Sequence, residues 1–181
     1  MERKVLGRLF ESHILNTVKN NQNSVLVISS SFKSTANDLN MILSEKYGKI
    51  GLITLAVPAE VVLANLEKSG IDPKKFVIME CSGGKSKSAI KGNVIHTSRD
   101  LDSMTKAVDK MLKSDVDLVI LDSISMVLMY NEEIDTIRFI HQVVNSVRKK
   151  KTKALYLITK DDMQRKTMKD LELFTDAIIR I

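Results

Sequence analysis

Residues 117–159 read DLVILDSISMVLMYNEEIDTIRFIHQVVNSVRKKKTKALYLIT, and this stretch decides the fold. Its opening, DLVILD at 117–122, is a short apolar run of the kind that forms a strand buried on both faces. From Glu132 to Lys150 the residues Ile134, Ile137, His141, Val144 and Val147 recur at three- and four-residue steps, which predicts one long helix with that face turned inward. ALYLIT at 154–159 is a second buried strand. Strand, long helix and strand in succession make a right-handed crossover between parallel strands.

Outward from this unit the alternation continues. On the N-terminal side, SVLVIS at 24–29, IGLITLA at 50–56 and FVIME at 76–80 read as strands. Helices are expected from about Thr35 to Tyr47, closed by Gly48, and from Ala59 to Ser69, stopped by Gly70. Residues 81–93 read as a basic loop, and Val94–His96 as a short strand. Thr97 and Asp100 have capping-box spacing ahead of a helix running to about Lys113. A short helix near Met168–Phe174 and a last strand at 177–181 finish the chain. The expected architecture is a three-layer α/β/α sandwich on a mostly parallel sheet. One domain is expected over 1–181, with an amphipathic helix in 1–20 and the core in 24–181.

Composition narrows the classes. The chain has 181 residues, 44% of them hydrophobic, enough to bury a core without staples. One cysteine, Cys81, excludes an internal disulfide and fits a reducing compartment. No apolar run reaches the roughly 18–20 residues of a membrane span. Met1-Glu2-Arg3-Lys4 leads into an amphipathic pattern, not a signal peptide. The expectation is a cytoplasmic protein with no membrane partner. A net charge of +6 admits nucleic acid as a partner, but aromatics are only 4% and Trp is absent, which leaves little for base stacking.

In a parallel sheet, ligands sit at the carboxyl ends of the strands. An apolar strand ending in Asp122 resembles a Walker B strand. The plain alternative is a turn capped through Ser123 or Ser125. The run IGLITLAVPAEVVLANLEKSGI at 50–71, the stretch at 117–159 and the ending LFTDAIIRI at 173–181 together resemble archaeal KaiC-like proteins of the RecA superfamily, from Ser24 onward. The resemblance implies a RecA-like, P-loop NTPase-type sheet. It also implies side-by-side assembly with nucleotide at the subunit junction, and an aspartate at 122 that would hold magnesium beside a bound nucleotide.

Two departures stand against catalysis. A P-loop needs G-x-x-x-x-G-K-[ST] so that backbone N–H groups can wrap the phosphates. Here Ser29 to Thr35 reads SSSFKST: Lys33-Ser34 keeps the last two positions, but Phe32 replaces the preceding glycine and the loop is short. The glutamate pair that activates water in KaiC-like ATPases falls on Ala56 and Val57; Glu60 lies further on, inside the next helix. The vestigial nucleotide site therefore comprises Lys33, Ser34, Asp122 and Ser123, with no catalytic residue. No cofactor is expected beyond weak binding of ATP and magnesium, and no metal ligand beyond Asp122 with such a nucleotide.

The remaining features read as structural. Gly83-Gly84-Lys85-Ser86 contains a GKS, but Met79, within a strand, occupies the motif's first glycine position. His13, His96 and His141 lack ligand spacing, and His141 reads as a core or interface residue. Cys81 reads as a structural thiol. Arg148 to Lys151 with Lys153 read as a solvated run complementing a helix dipole. The expected function is that of a degenerate KaiC/RecA-like domain, a non-catalytic regulatory or scaffolding protein. Its expected partners are copies of itself or related RecA-superfamily proteins. One alternative is a weak nucleotide-binding ATPase using Lys33, Ser34 and Asp122. Another is a basic accessory protein binding nucleic acid through Lys85–Lys91 and Arg148–Lys153.

Overall fold

A computed structural model of the chain describes residues 16–17, 23–30, 39, 43–83 and 89–180. Most of the expected N-terminal helix, the loop with Lys33 and Ser34, most of the second helix, and Lys85 and Ser86 lie outside the described residues.

Eight strands form one sheet: β1 (Ser24–Ser29), β2 (Ile50–Thr54), β3 (Phe76–Ser82), β4 (Ala89–Lys91), β5 (Val94–Ser98), β6 (Leu118–Asp122), β7 (Lys153–Thr159) and β8 (Ala177–Arg180). Their order is β4-β5-β3-β2-β6-β7-β1-β8. Every pairing is parallel except β4 with β5. The helices bounded within the described residues are α1 (Ala59–Lys68), α2 (Leu101–Leu112), α3 (Ile124–Leu128), α4 (Glu133–Lys150), α5 (Lys160–Met163) and α6 (Leu171–Phe174). Among the described residues no helix is long and apolar enough to cross a membrane.

The central strands are apolar at nearly every position because both faces of the sheet are covered. Leu26, Ile53, Met79, Leu121 and Tyr156 pack on one face against α2, α3 and α4. Val27, Leu52, Ile78, Ile120 and Leu157 pack on the other against α1, Leu39 and Leu43. Gly51 lets α2 come close to the sheet: a Cβ there would run into the Met111 thioether. Strands β2 and β6 are neighbours, but α1 leaves β2 over one face toward β3 while α4 leaves β6 over the other toward β7. That divergence makes the carboxyl ends of β2 and β6 a topological switch point.

Helix ends follow local chemistry. Helix α1 closes in a Schellman turn: the Gly70 N–H donates to Glu67 O at 3.0 Å, and the Ile71 N–H donates to Leu66 O at 2.9 Å. Gly70 has φ +72°, which a glycine adopts freely. Helix α4 ends on Lys151 at φ 55°, a left-handed position filled by a branched-off side chain rather than glycine.

Several expectations are corrected. Gly48 has no left-handed φ; its lack of a side chain accommodates Asp117, whose Oδ2 would lie 3.2 Å from a Cβ there and accepts the Lys49 N–H at 2.8 Å. Residues 81–93 are not all loop: β3 continues to Ser82, and β4 pairs antiparallel with β5 across a turn at Gly92, φ +61°. Thr97 caps nothing. It lies inside β5 with its hydroxyl buried and unpartnered, and the N-cap of α2 is Asp100, which accepts the Ser103 N–H at 2.9 Å. The inward face of α4 is rotated from the one expected. Thr136, Phe139, Ile140, Val143, Val144 and Val147 are buried, while Ile134 is 57% exposed. His141 is exposed, its ring 4.7 Å from that of Phe174. Arg148 is not simply solvated: it donates to Asp176 Oδ1 at 2.7 Å and to Phe174 O at 2.9 Å. Asp176 in turn accepts the Asn23 and Ser24 N–H groups, each at 2.9 Å, and so ties β8 to the start of β1.

Candidate functional site

Thr54 ends β2 and Asp122 ends β6, and the register sets them side by side, with Glu80 of β3 on the far side of Thr54. All three point to the α1 side of the sheet, continuing the alternation of Leu52, Ile120 and Ile78. A cavity of about 590 Å³ opens over Thr54 and Asp122. Val62, Asn65, Leu66 and Ser69 of α1 line one wall, and Met126, Leu128 and Met129, in and just after α3, line another. Ala56 and Val57, exposed after β2, also line it. Most of this lining is aliphatic or thioether carbon.

Asp122 faces the cavity without a hydrogen bond or ion pair among the described residues. Burial pushes its carboxyl up from 3.8 to about 6. The peptide bond joining Asp122 to Ser123 is cis. Ser123 is buried, and its hydroxyl accepts the Met126 N–H at 3.3 Å as the N-cap of α3. The residue that caps the turn is thus Ser123, which leaves Asp122 free. Ser125 does something else: its Oγ accepts the Thr159 N–H at 2.9 Å and so joins α3 to the end of β7.

A polar chain closes the cavity beyond β7. The Thr159 hydroxyl donates to Asp162 Oδ2 at 2.7 Å and accepts the Asp162 N–H at 3.2 Å, capping α5. Arg165 Nε sits 3.3 Å from Asp162 Oδ1, and its NH1 donates to Glu133 Oε1 at 2.9 Å. The Arg165 and Asp162 charges therefore answer one another, and Asp122 alone in the lining has no counter-ion.

Of the residues read from sequence as a vestigial nucleotide site, Asp122 and Ser123 are in place at the switch point. Lys33 and Ser34 lie outside the described residues. Sequence reasoning missed Thr159, Asp162 and Arg165; Met126 and Met129, legible from sequence as either core or a soft interaction surface, line the cavity. Asp162 and Arg165 carry an i,i+3 signal, but only tertiary folding brings them to Ser125. Glu80 was also missed. Its Oε2 accepts the Ala59 N–H at 2.9 Å, which holds the start of α1, and lies 3.9 Å from His96 Nδ1. Two strand spacings, roughly 10 Å, separate it from Asp122. Glu60 is exposed in the first turn of α1. Cys81 is buried, and burial raises its thiol to about 12, as befits a structural cysteine. No group of three or more metal-ligating side chains occurs among the described residues.

No family model and no curated protein matches the chain. Among solved structures it is similar to a KaiC-like protein from the hyperthermophilic archaeon Pyrococcus horikoshii OT3, with a TM-score of 0.66 and 14% identity, covering 87% of this chain and 71% of that one. At that identity the likeness is one of fold: an α/β sandwich of the RecA-like, KaiC-like type.

Proposed function

We propose that this chain is a degenerate KaiC/RecA-like domain that does not hydrolyse ATP and acts in the cytoplasm as a regulatory or scaffolding module, assembling with copies of itself or with related RecA-superfamily proteins. The observation that carries this reading is the composition of the carboxyl edge of β2. Ala56 and Val57 stand beside the cavity, and neither can take a proton from water or orient it. Two carboxylates flank the end of β2: Glu80 already accepts a backbone N–H of α1, and Asp122 stands where a magnesium-holding aspartate would stand, not where the water-activating pair would. The wall is mostly aliphatic and thioether carbon, which offers a triphosphate few donors.

Assembly draws support from the same edge. Val57, Val61, Met129 and Tyr130 are large apolar side chains left exposed there, and Met129 is 70% exposed. Arg99 holds the Tyr130 ring at 4.2 Å and donates to Leu55 O, which fixes that ring beside the end of β2.

A second reading, weak nucleotide binding through Lys33, Ser34 and Asp122, has one observation in its favour: Asp122 stands at the end of β6, unpaired among the described residues, where a magnesium-holding aspartate would stand. One experiment separates the two. Phosphate release from Mg-ATP and calorimetric titration with Mg-ATP are measured on the wild type, Lys33→Ala and Asp122→Ala. The expected outcome is no release above the buffer blank and no saturable heat. Micromolar binding that Lys33→Ala abolishes would establish the second reading.

A further inference from the structure

The cavity at the switch point pairs a large apolar volume with one negative charge that no described residue answers. Ligand sites commonly occupy roughly 300–1,000 Å³ and combine apolar walls with a few convergent polar groups; the space here is about 590 Å³. The charge balance of its lining has a definite sign. Among the described residues of the lining, Asp122 and Asp162 stand against Arg165 alone, and Arg165 is shared between Asp162 and Glu133. A buried carboxylate without a partner is unfavourable in its charged form, and a cation brought beside it relieves that penalty. The polar backbone and hydroxyl groups nearby are engaged with one another. The Ser123 hydroxyl takes the Met126 N–H, the Ser125 hydroxyl the Thr159 N–H, and the Thr54 hydroxyl the Val57 N–H at 3.2 Å. Asn65 and Ser69 add neutral polar groups to the lining, and Asp122 is its one ionisable side chain without a partner among the described residues.

We propose that this cavity is a binding site for a small amphiphilic amine, its ammonium group on the Asp122 carboxylate and its apolar body against Val62, Leu66, Met126 and Met129. Thioether side chains are unbranched and polarisable, so this wall adapts to chains of differing shape. An anionic ligand such as a nucleotide or a fatty acid would meet Asp122 with like charge. The proposal rests on the non-catalytic reading to the extent that the space beside Asp122 serves something other than magnesium and phosphate. Such a domain would couple occupancy of the cavity to the exposed apolar edge that Val57 and Met129 share with it.

The test uses three probes with the same eight-carbon chain, n-octylamine, 1-octanol and octanoate, titrated by calorimetry and thermal shift into the wild type, Asp122→Asn and Val62→Trp. The amine is expected to bind roughly tenfold tighter than the alcohol, as a charge-assisted hydrogen bond would provide. Octanoate is expected to bind weakest. Asp122→Asn should abolish the preference for amine over alcohol while the alcohol binds as before. Val62→Trp, which fills the cavity, should weaken amine and alcohol together. Equal binding of amine and alcohol to the wild type, or a preference for amine that survives Asp122→Asn, would overturn the proposal. Mg-ATP turnover is measured on the same samples. Absence of amine selectivity in the wild type without turnover defeats the ligand assignment and leaves the non-catalytic reading standing, whereas turnover defeats that reading whatever the amine does.

Discussion

Asp122 is a largely buried carboxylate facing a cavity, and its surroundings explain its electrostatic setting. It ends an otherwise apolar strand, its neighbour Ser123 takes over the capping of α3, and no cation among the described residues answers it. Burial alone lifts its carboxyl from 3.8 to about 6. The folded state therefore holds a proton between about pH 4 and 6 that the unfolded chain releases. Stability from this group is complete below the unfolded value and is lost as pH rises through about 6. The lost amount is on the order of 2–3 kcal/mol. Asp122→Asn removes the ionisable group, so it should melt several degrees above wild type at pH 8, with the gap shrinking toward pH 4. Thermal denaturation of both proteins across that range checks the slope; a gap that widened at low pH would place the carboxylate in a stabilising pair instead.

At the scale of elements, two backbone positions make opposite predictions. Gly51 lies where Met111 of α2 presses on β2, so Gly51→Val must push the helix outward or force Met111 from its rotamer. A loss of roughly 1–3 kcal/mol is expected, read by chemical denaturation. Lys151 closes α4 at φ 55°, with the Thr152 N–H donating to Val147 O at 3.1 Å. A residue with a Cβ is disfavoured there, and glycine is not. Lys151→Gly should therefore stabilise the protein by about 0.5–1 kcal/mol, with no change in the denaturant slope. If Lys151→Gly proved destabilising, the lysine side chain would hold the turn by contacts that outweigh its backbone cost.

The same scale shows where local reading works and where it stops. Gly70 was legible as a helix stop because the Schellman turn needs a left-handed residue just after the last apolar position, and both signals are adjacent in sequence. Gly48 looked alike but serves a different purpose, since the side chain that needs the room is Asp117, far along the chain. The α4 face was misjudged because its apolar residues are spread widely enough to fit two phases. Packing on α2 and the sheet chose the phase that buries Phe139 and Ile140 and leaves Ile134 out.

At the scale of the whole molecule, the exposed apolar edge around the cavity is the feature that bears on assembly. Single-residue changes there should act on association and not on folding, because the side chains lie on the surface. Met129→Glu is expected to shift any oligomer toward monomer in light scattering while leaving the melting temperature of the monomer within about a degree or two, as surface substitutions do. A protein that is monomeric at every concentration would remove the scaffolding part of the proposed function. At the opposite edge, Arg148 and Asp176 join α4, β8 and the start of β1, so the basic run after Val147 begins with a residue already committed to the fold.

The alternation of the main strands and helices, the burial of the sheet on both faces and the presence of Ala56 and Val57 just after β2 were all determined by the sequence, because hydrophobic periodicity and residue type act over a few neighbouring positions. The shape and charge of the cavity were not. They depend on β2 and β6 becoming neighbours while α1 and α4 diverge, on Ser123 capping α3 in place of Asp122, and on Asp162 and Arg165 neutralising each other beyond β7. Each of these joins residues distant along the chain, and only packing of the whole sheet decides which of them meet.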